Sequence, residues 1–348
     1  MLAGRSPRLV IIQILTLTRG GPMRTLLLTM LLFLASHLSA VVPLETVKWA
    51  SDSPVPSEAG IAHRVQAYFL LDFTEDAGRG KYGTVRDFCR DSKLATTFEA
   101  LHILVVTNGQ IDPPAESDKD KKEFWCKGVS SNKGLVHAFG GNTDSVIVLV
   151  DGDGRVSKIA RMDNPHTQRE SIQKLYITAK PMVSDLSQFP LSCKTPLENL
   201  CLGDILRTTK SLNKAGADAP LIVKMITDQA NRFIKMDTTL LTDPAKTAAE
   251  RMLAVKRLNG ILTEFPKSAA APAAKAALKK TKDDKPLAKE QQAYDVLMQY
   301  FAAMDKVPAK KIKEVQREWI PLITAKYGGT YAAEIATMIR QTSLLDED

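Results

Sequence analysis

Three short apolar runs mark the first half of the chain. They cover residues 65–73 (VQAYFLLDF), 102–107 (HILVVT) and 146–150 (VIVLV). Apolar runs of this length that are rich in β-branched and aromatic residues predict strands. Their nearly continuous apolar character predicts a sheet that is buried on both faces.

The segments between these runs predict the rest of an α/β region. Residues 84–101 carry apolar side chains at roughly helical spacing and fit a crossover helix, and residues 124–139 have room for a second helix. Residues 110–123 are charged and contain two prolines, which indicates a surface loop. The third run leads through Gly152-Asp153-Gly154 into residues 155–162, which predicts an antiparallel hairpin.

Signals for helices replace those for strands after about residue 185. Thr195-Pro196-Leu197-Glu198 has the pattern of a capping box, and Asp243-Pro244 predicts another helix start in the same manner. Four apolar stripes at helical spacing follow: Leu197, Leu200, Cys201, Ile205 and Leu212; Ala248, Met252, Val255, Leu258 and Leu262; Ala293, Leu297, Phe301 and Met304; Ile312, Val315, Trp319 and Ile323.

A weak internal repeat lies within this helical region. Phe265-Pro266-Lys267-Ser268 and Tyr327-Gly328-Gly329-Thr330 each follow an amphipathic stripe and precede small residues. An aromatic residue, two turn residues and a Ser or Thr cap are typical of the turn in a helix hairpin. The sequence therefore predicts an all-α region of helical hairpins at residues 185–345.

The N-terminus has the pattern of an export signal. Met23-Arg24 precedes an apolar core and the small residues Ser39-Ala40, and the core is shorter than the about 20 residues that a spanning helix needs. Residues 1–22 are interpreted as an upstream extension from a misassigned start; a two-part leader or an uncleaved anchor is the alternative. Residues 41–60, rich in Pro and Ser, are predicted to be a linker.

Composition favours two globular domains. The chain has 348 residues, of which 44% are hydrophobic and 25% charged, so neither a disordered chain nor a multi-span membrane protein is expected. Its net charge of +8 falls to +4 without residues 1–40, which carry four arginines and no acid. Lysines cluster at Lys275, Lys279, Lys280, Lys282, Lys285 and Lys289 without interleaved aromatic residues, which indicates a solvated helix face and not a nucleic-acid site.

The first region resembles thioredoxin-like proteins. Residues 69–74 (FLLDFT) followed by a helix resemble the strand that leads to the active site of that family, and residues 146–156 resemble its hairpin. The resemblance covers roughly residues 60–165 and implies a central mixed sheet flanked by helices, with the domain at residues 61–170. Residues 185–345 resemble tetratricopeptide-like proteins of the bacterial envelope, without their full repeat signature.

The redox chemistry that the resemblance implies is missing. The family needs two cysteines, two residues apart, at a helix N-terminus, where the helix dipole favours a thiolate. Here the window at residues 75–82 (EDAGRGKY) places Gly78 and Lys81 at those positions, or Ala77 and Gly80 in the alternative register. The position of the family's cis-proline falls on Ser145, where a cis bond would cost about 3 kcal/mol or more.

Four cysteines remain as candidate redox or disulfide residues. Their order suggests Cys89 with Cys126 and Cys193 with Cys201, and buried thiols are the alternative. Asp72 matches the proton-transfer acid of some thioredoxins but has no dithiol to serve.

No metal site is predicted from the acidic residues or histidines. Asp151 and Asp153 fit a turn better than a calcium loop, because an EF-hand's spaced Glu is missing. The four histidines of the mature chain have no metal-ligand spacing; they are His63, His102, His137 and His166.

These observations predict a non-catalytic binding or scaffold protein, secreted to the bacterial periplasm or the extracellular space after cleavage near Ala40. The expected partners are proteins; no cofactor, metal, nucleic acid or membrane span of the mature chain is expected. The alternative is a thiol-disulfide oxidoreductase or peroxidase-like enzyme that uses Cys89 or Cys126.

Overall fold

The computed structural model of the chain describes most of residues 48–343. The described ranges are 48–49, 56–71, 76–89, 101–107, 129–131, 133–140, 145–162, 164–180 and 188–343. All of them belong to one compact unit, residues 39–348. The predicted export signal, Asp72 and Cys126 lie outside the described residues.

The apolar runs form the centre of a mixed sheet. Its six strands are β1 (Lys48–Trp49), β2 (Val65–Leu71), β3 (Leu101–Thr107), β4 (Val129–Ser131), β5 (Val146–Val150) and β6 (Val156–Arg161). They are arranged in the order β1-β4-β3-β2-β5-β6. β2 runs parallel to β3 and antiparallel to β5, and β5 and β6 form the predicted antiparallel hairpin. The short strands β1 and β4 pair with each other at one edge and were not predicted.

In the described ranges, the helices that accompany the sheet are α1 (Glu58–Ile61), α2 (Asp76–Cys89), α3 (Lys133–Gly140) and α4 (Arg169–Leu175). α2 begins earlier than the predicted helix at residues 84–101. The predicted linker is too long, because β1 lies within residues 41–60 and α1 starts there with buried residues such as Ala59. The Ser57 side chain caps α1 by accepting a hydrogen bond from the Gly60 amide.

Both faces of β2 and β5 are buried, as the apolar character of these runs predicted. The alternation of side chains along a strand places Val65, Ala67 and Phe69 of β2 on one face, where they pack with Val85 of α2 and Ile172 of α4. α3 packs against β2, β3 and β5 as well as against helices of the C-terminal region. The sheet therefore lies between helices on both sides.

The C-terminal region is helical, as predicted. Its helices are α5 (Lys194–Cys201), α6 (Ile205–Ser211), α7 (Ala219–Thr242), α8 (Ala248–Glu264), α9 (Ala271–Lys280), α10 (Lys285–Met304), α11 (Ile312–Lys326) and α12 (Tyr331–Thr342). Short 3₁₀ turns lie at Pro165–Gln168, Tyr176–Thr178, Leu191–Cys193, Leu212–Asp218, Thr281–Asp283 and Ala309–Lys311. α7, the longest of these helices, was not predicted.

Several helix boundaries differ from the predictions. The stripe from Leu197 to Leu212 is not one helix, because Gly203 takes a φ of +77° and ends the helical path between α5 and α6. The pattern at Thr195 is not a cap, since α5 already starts at Lys194. The capping box of α8 is formed by Thr247 and Glu250, whereas Asp243 ends α7.

The two turns of the weak repeat are only partly alike. Phe265 and Tyr327 occupy the same place, each as the residue that ends its helix, α8 or α11. Thr330 caps α12 by accepting a hydrogen bond from the Ala333 amide. Ser268, by contrast, precedes the Ala270 cap of α9 by two residues. One of the two predicted Ser or Thr caps is therefore present.

Candidate functional site

Helix α2 starts within the window that the predicted resemblance assigns to a thioredoxin-like active site. Ala77, Gly78, Gly80 and Lys81 lie in the first two turns of α2, which starts five residues after Leu71 ends β2. Ser145 lies just before β5, and the pairing of Leu70 with Val146 brings it to the same end of the sheet. The structure thus brings the start of α2 and Ser145 to the same end of the sheet.

The backbone of Ser145 takes part in the hydrogen bonding of the hairpin. Its side chain is buried, and its carbonyl oxygen accepts a hydrogen bond of 2.8 Å from the Met162 amide across the start of the hairpin. The described residues contain no cis peptide bond. The polar contacts of this position are therefore those of an ordinary strand residue.

The structure overturns one predicted disulfide. Cys193 directly precedes α5 and Cys201 ends it, so a helical rise of about 1.5 Å per residue separates their Cα atoms by about 12 Å. A disulfide requires less than about 7 Å. Both side chains are buried and are not joined in a disulfide. Cys89 is the last residue of α2.

A buried charged cluster that was not predicted connects the sheet to the helices. His63 lies just before β2, Asp237 is on α7 and Arg257 is on α8. The Nε2 atom of His63 lies 3.1 Å from Oδ2 of Asp237, and Arg257 donates to the same carboxylate at 2.7 Å through Nη2 and at 3.0 Å through Nε. The side chains of His63 and Asp237 are 2% and 1% exposed, so this pairing is shielded from solvent.

The electrostatics of this cluster favour an ionised carboxylate. Burial by itself raises the pKa of Asp237, but the Arg257 charge and the hydrogen bonds from His63 and Arg257 bring the pKa below its ordinary value. His63 adopts a φ of +59°, which is unusual for a residue other than glycine, and its ring lies 4.7 Å from that of Phe233. Its carbonyl oxygen accepts a hydrogen bond from the Lys180 amide.

Arg257 also reaches the turn of the β5–β6 hairpin, where its Nη1 atom donates to the carbonyl oxygen of Asp153. In that turn, Oδ1 of Asp151 accepts hydrogen bonds of 2.9 Å from the amides of Asp153 and Arg155. Burial raises the pKa of Asp151. These contacts agree with the predicted turn, and no group of His, Cys, Asp and Glu in the described ranges is arranged to hold a metal ion.

Tyr331 provides a second junction, between α12 and the hairpin. Its hydroxyl oxygen accepts a 2.6 Å hydrogen bond from the Val156 amide at the start of β6. Its own amide donates to Oε2 of Glu290 on α10 at 3.0 Å, and burial raises the pKa of that carboxyl. Arg155 and Glu334 add an exposed ion pair of 2.5 Å beside it.

Two further junctions supply hydrogen-bond donors to backbone carbonyl oxygens near the C-terminal ends of α3 and α5. Tyr300 on α10 donates to the carbonyl oxygen of Ala138 at 3.0 Å, and Gln316 on α11 donates to the same oxygen at 3.1 Å, near the end of α3. Buried Arg64 donates to the carbonyl oxygens of Leu200 and Cys201 at 2.8 and 2.5 Å, at the end of α5. The helices and the sheet therefore complete each other's backbone hydrogen bonding.

Helix α12 also lies along the outer edge of β6. Tyr331 binds the start of this strand, and near its other end Thr342 Oγ1 donates to the carbonyl oxygen of Ile159 at 3.1 Å. Arg161 Nε in turn donates to the carbonyl oxygen of Thr342 at 3.0 Å. A groove of about 440 Å³ remains beside the strand. Because the helix covers this edge, it opposes the addition of a further strand there.

The charged cluster has a structural role. The Asp237 carboxylate is bound by two partners and is buried where a substrate cannot reach it. We therefore assign the cluster to holding the hairpin turn, α7 and α8 together. One sequence signal could have found it: Asp237 follows Ala230, Phe233 and Ile234 on the buried stripe of α7, where a charged residue requires a partner. His63 and Arg257 carry no comparable signal.

Comparisons with known proteins give no further guidance. Protein-family profiles, curated proteins and solved structures gave no match to the chain. Among the helices that the structure describes, none combines the length and the apolar character needed to cross a lipid bilayer.

Proposed function

We propose that this protein is a non-catalytic binding or scaffold protein, built on a thioredoxin-like sheet that has lost its redox centre. The observation that carries the proposal is the start of α2, which follows β2 where that family places its thiols and yet holds Ala77, Gly78, Gly80 and Lys81. Without a thiol, the positive end of the helix dipole has no nucleophile to activate.

The strand order supports the thioredoxin-like part of the proposal. β2, α2 and β3 form a parallel unit with a crossover helix, and the antiparallel hairpin of β5 and β6 adds to the other side of β2 before α4. A mixed sheet flanked by helices is what the resemblance implies, and this arrangement supports the proposal. The short strand β4 continues the parallel side beyond β3.

The positions of the described cysteines argue against the alternative, a redox enzyme with an atypical cysteine. Cys89 ends α2, and the negative end of a helix dipole opposes a thiolate. Cys193 and Cys201 are buried in the helical region, where a substrate disulfide in solution cannot reach their thiols. Cys126 is the cysteine on which the alternative still depends.

A thiol assay tests the proposal. We expect the purified protein to leave insulin disulfides intact, and buried Cys193 and Cys201 to react with a thiol reagent only after unfolding. Insulin reduction that is lost in Cys89→Ser or Cys126→Ser would establish the enzyme instead. Cys193→Ser is the matched control, because removing a buried thiol beside α5 should leave the result of the insulin assay unchanged.

Export is the second part of the proposal and rests on the pattern at residues 23–40. A charged start, an apolar core and a small-residue exit are the features that the secretion machinery recognises. N-terminal sequencing of the protein from expressing bacteria should give a mature chain that starts close to residue 41. An intact segment 23–40 in a soluble cytoplasmic product would exclude export.

A further inference from the structure

An uncompensated positive surface lies on α9 and the turn that follows it. We call it the lysine face and define it by Lys275, Lys279, Lys280, Lys282 and Lys285. All five side chains are exposed. Within the described part of the chain, none of them makes an ion pair.

The packing of α9 explains why these lysines point outward together. Ala271, Ala274 and Ala277 are buried on one side of the helix, which packs against α7 and α8. The opposite side carries Lys275, Lys279 and Lys280. The other exposed residues of α9 are Pro272, Ala273 and Ala276, so this helix exposes no large apolar side chain beside its lysines.

Local acidic residues do little to offset this charge. Asp284 is occupied, because its Oδ1 caps α10 by accepting from the Leu287 amide at 3.0 Å and its Oδ2 pairs with Arg251. Asp283 is the remaining acid between residues 271 and 289. Five exposed ammonium groups within eleven residues therefore produce a positive potential that attracts a dense array of anions.

We propose that the lysine face binds the surface of an anionic lipid bilayer, with the lysine ammonium groups against the phosphate headgroups. Binding to such a surface requires only flexible side chains that each carry a positive charge, and lysine is such a side chain. Single-stranded nucleic acid would use aromatic stacking platforms, and a protein partner would use Arg or aromatic anchors. Residues 271–289 contain neither Arg nor an aromatic residue. This inference does not depend on the proposed loss of redox chemistry.

Vesicle sedimentation tests the proposal on the full chain. Phosphatidylcholine vesicles with a minority of phosphatidylglycerol are compared with pure phosphatidylcholine, so that any charge-independent binding by the apolar leader appears in both. We expect the anionic vesicles to bind more protein, and added salt to abolish the difference. Equal, salt-insensitive binding to the two vesicle types would overturn the proposal.

Charge reversal locates the binding surface. The variant Lys275→Glu/Lys279→Glu/Lys282→Glu should weaken binding to anionic vesicles by about a hundredfold or more, since each lysine near an anionic surface contributes on the order of fivefold and each new glutamate adds repulsion. Replacing the same three lysines with Gln should weaken vesicle binding by a smaller factor, because the charge is removed but not reversed. A circular dichroism melt confirms that each variant is folded.

The matched control changes the same charge elsewhere. Lys210, Lys214 and Lys235 are exposed lysines on α6, the following turn and α7, and their triple change to Glu should leave vesicle binding near that of the unmodified protein. An equal loss in both triples would assign binding to overall charge and refute the lysine face. Duplex DNA that binds at physiological salt and releases the protein from vesicles would assign the face to nucleic acid instead.

Discussion

Replacing Asp237 with Ala should be among the most damaging single changes in the described part of this protein. The substitution removes the carboxylate that receives hydrogen bonds from both His63 and Arg257. The guanidinium would keep its bond to the hairpin turn, but its charge would be left in a site where the Arg257 side chain is only 10% exposed. Because a buried charge is left without its partner, we expect a loss of about 3 to 5 kcal/mol in the free energy of unfolding.

The effect should depend on pH in a defined direction. The pKa of Asp237 in the folded protein lies below its ordinary value, so the stability it contributes is present above the pKa of the unfolded chain, about 3.9. That contribution is lost as the pH falls through the folded pKa. The difference between the unmodified protein and Asp237→Ala should therefore hold from about pH 7 to 5 and shrink below about pH 4.

Urea denaturation followed by circular dichroism measures both effects. Asp228 is a matched control on the same helix, since it also pairs with a basic residue, Lys224 at 2.6 Å, but its side chain is 60% exposed. Asp228→Ala should cost no more than about 0.5 kcal/mol. Equal losses for the two variants, or a loss at Asp237 that persists unchanged at low pH, would refute the assignment of the cluster as a buried ionic junction.

Other changes test the remaining contacts by the same denaturation assay. Leu258→Ala should cost about 2 to 5 kcal/mol, because the side chain is fully buried in α8; a loss under about 1 kcal/mol would contradict that packing. Gly203→Ala should cost about 1 to 3 kcal/mol, since φ is +77° there and a Cβ would lie 2.9 Å from Ile61; no loss would contradict this backbone. Tyr331→Phe should cost about 1 to 3 kcal/mol, as a strand amide loses its acceptor; a neutral result would mean that the bond is absent. Residues 185–345 are predicted to fold alone, but to melt below the full chain because the junctions with the sheet are lost; an uncooperative melt would show that they need the sheet.

The sequence by itself determined the elements whose signals are local. The run at residues 146–150 is a strand within the same bounds, and the stripe through Met252 and Leu258 is the buried side of α8. A buried strand or an amphipathic helix must carry its apolar residues at a fixed period, whatever packs against it. The absence of thiols from residues 75–82 was equally visible in the sequence.

Only the tertiary structure decided features that depend on distant residues. β1 and β4 are too short to give a periodic signal and exist because they pair with distant strands: β4 pairs with β3, and β1 pairs with β4 across about 80 residues of chain. The stripe through Leu200 and Ile205 continued past Gly203, and the backbone conformation there, not the apolar period, ended the helix. His63, Asp237 and Arg257 come from three separate segments, so their meeting depends on how α7 and α8 pack onto the sheet, which no local pattern encodes.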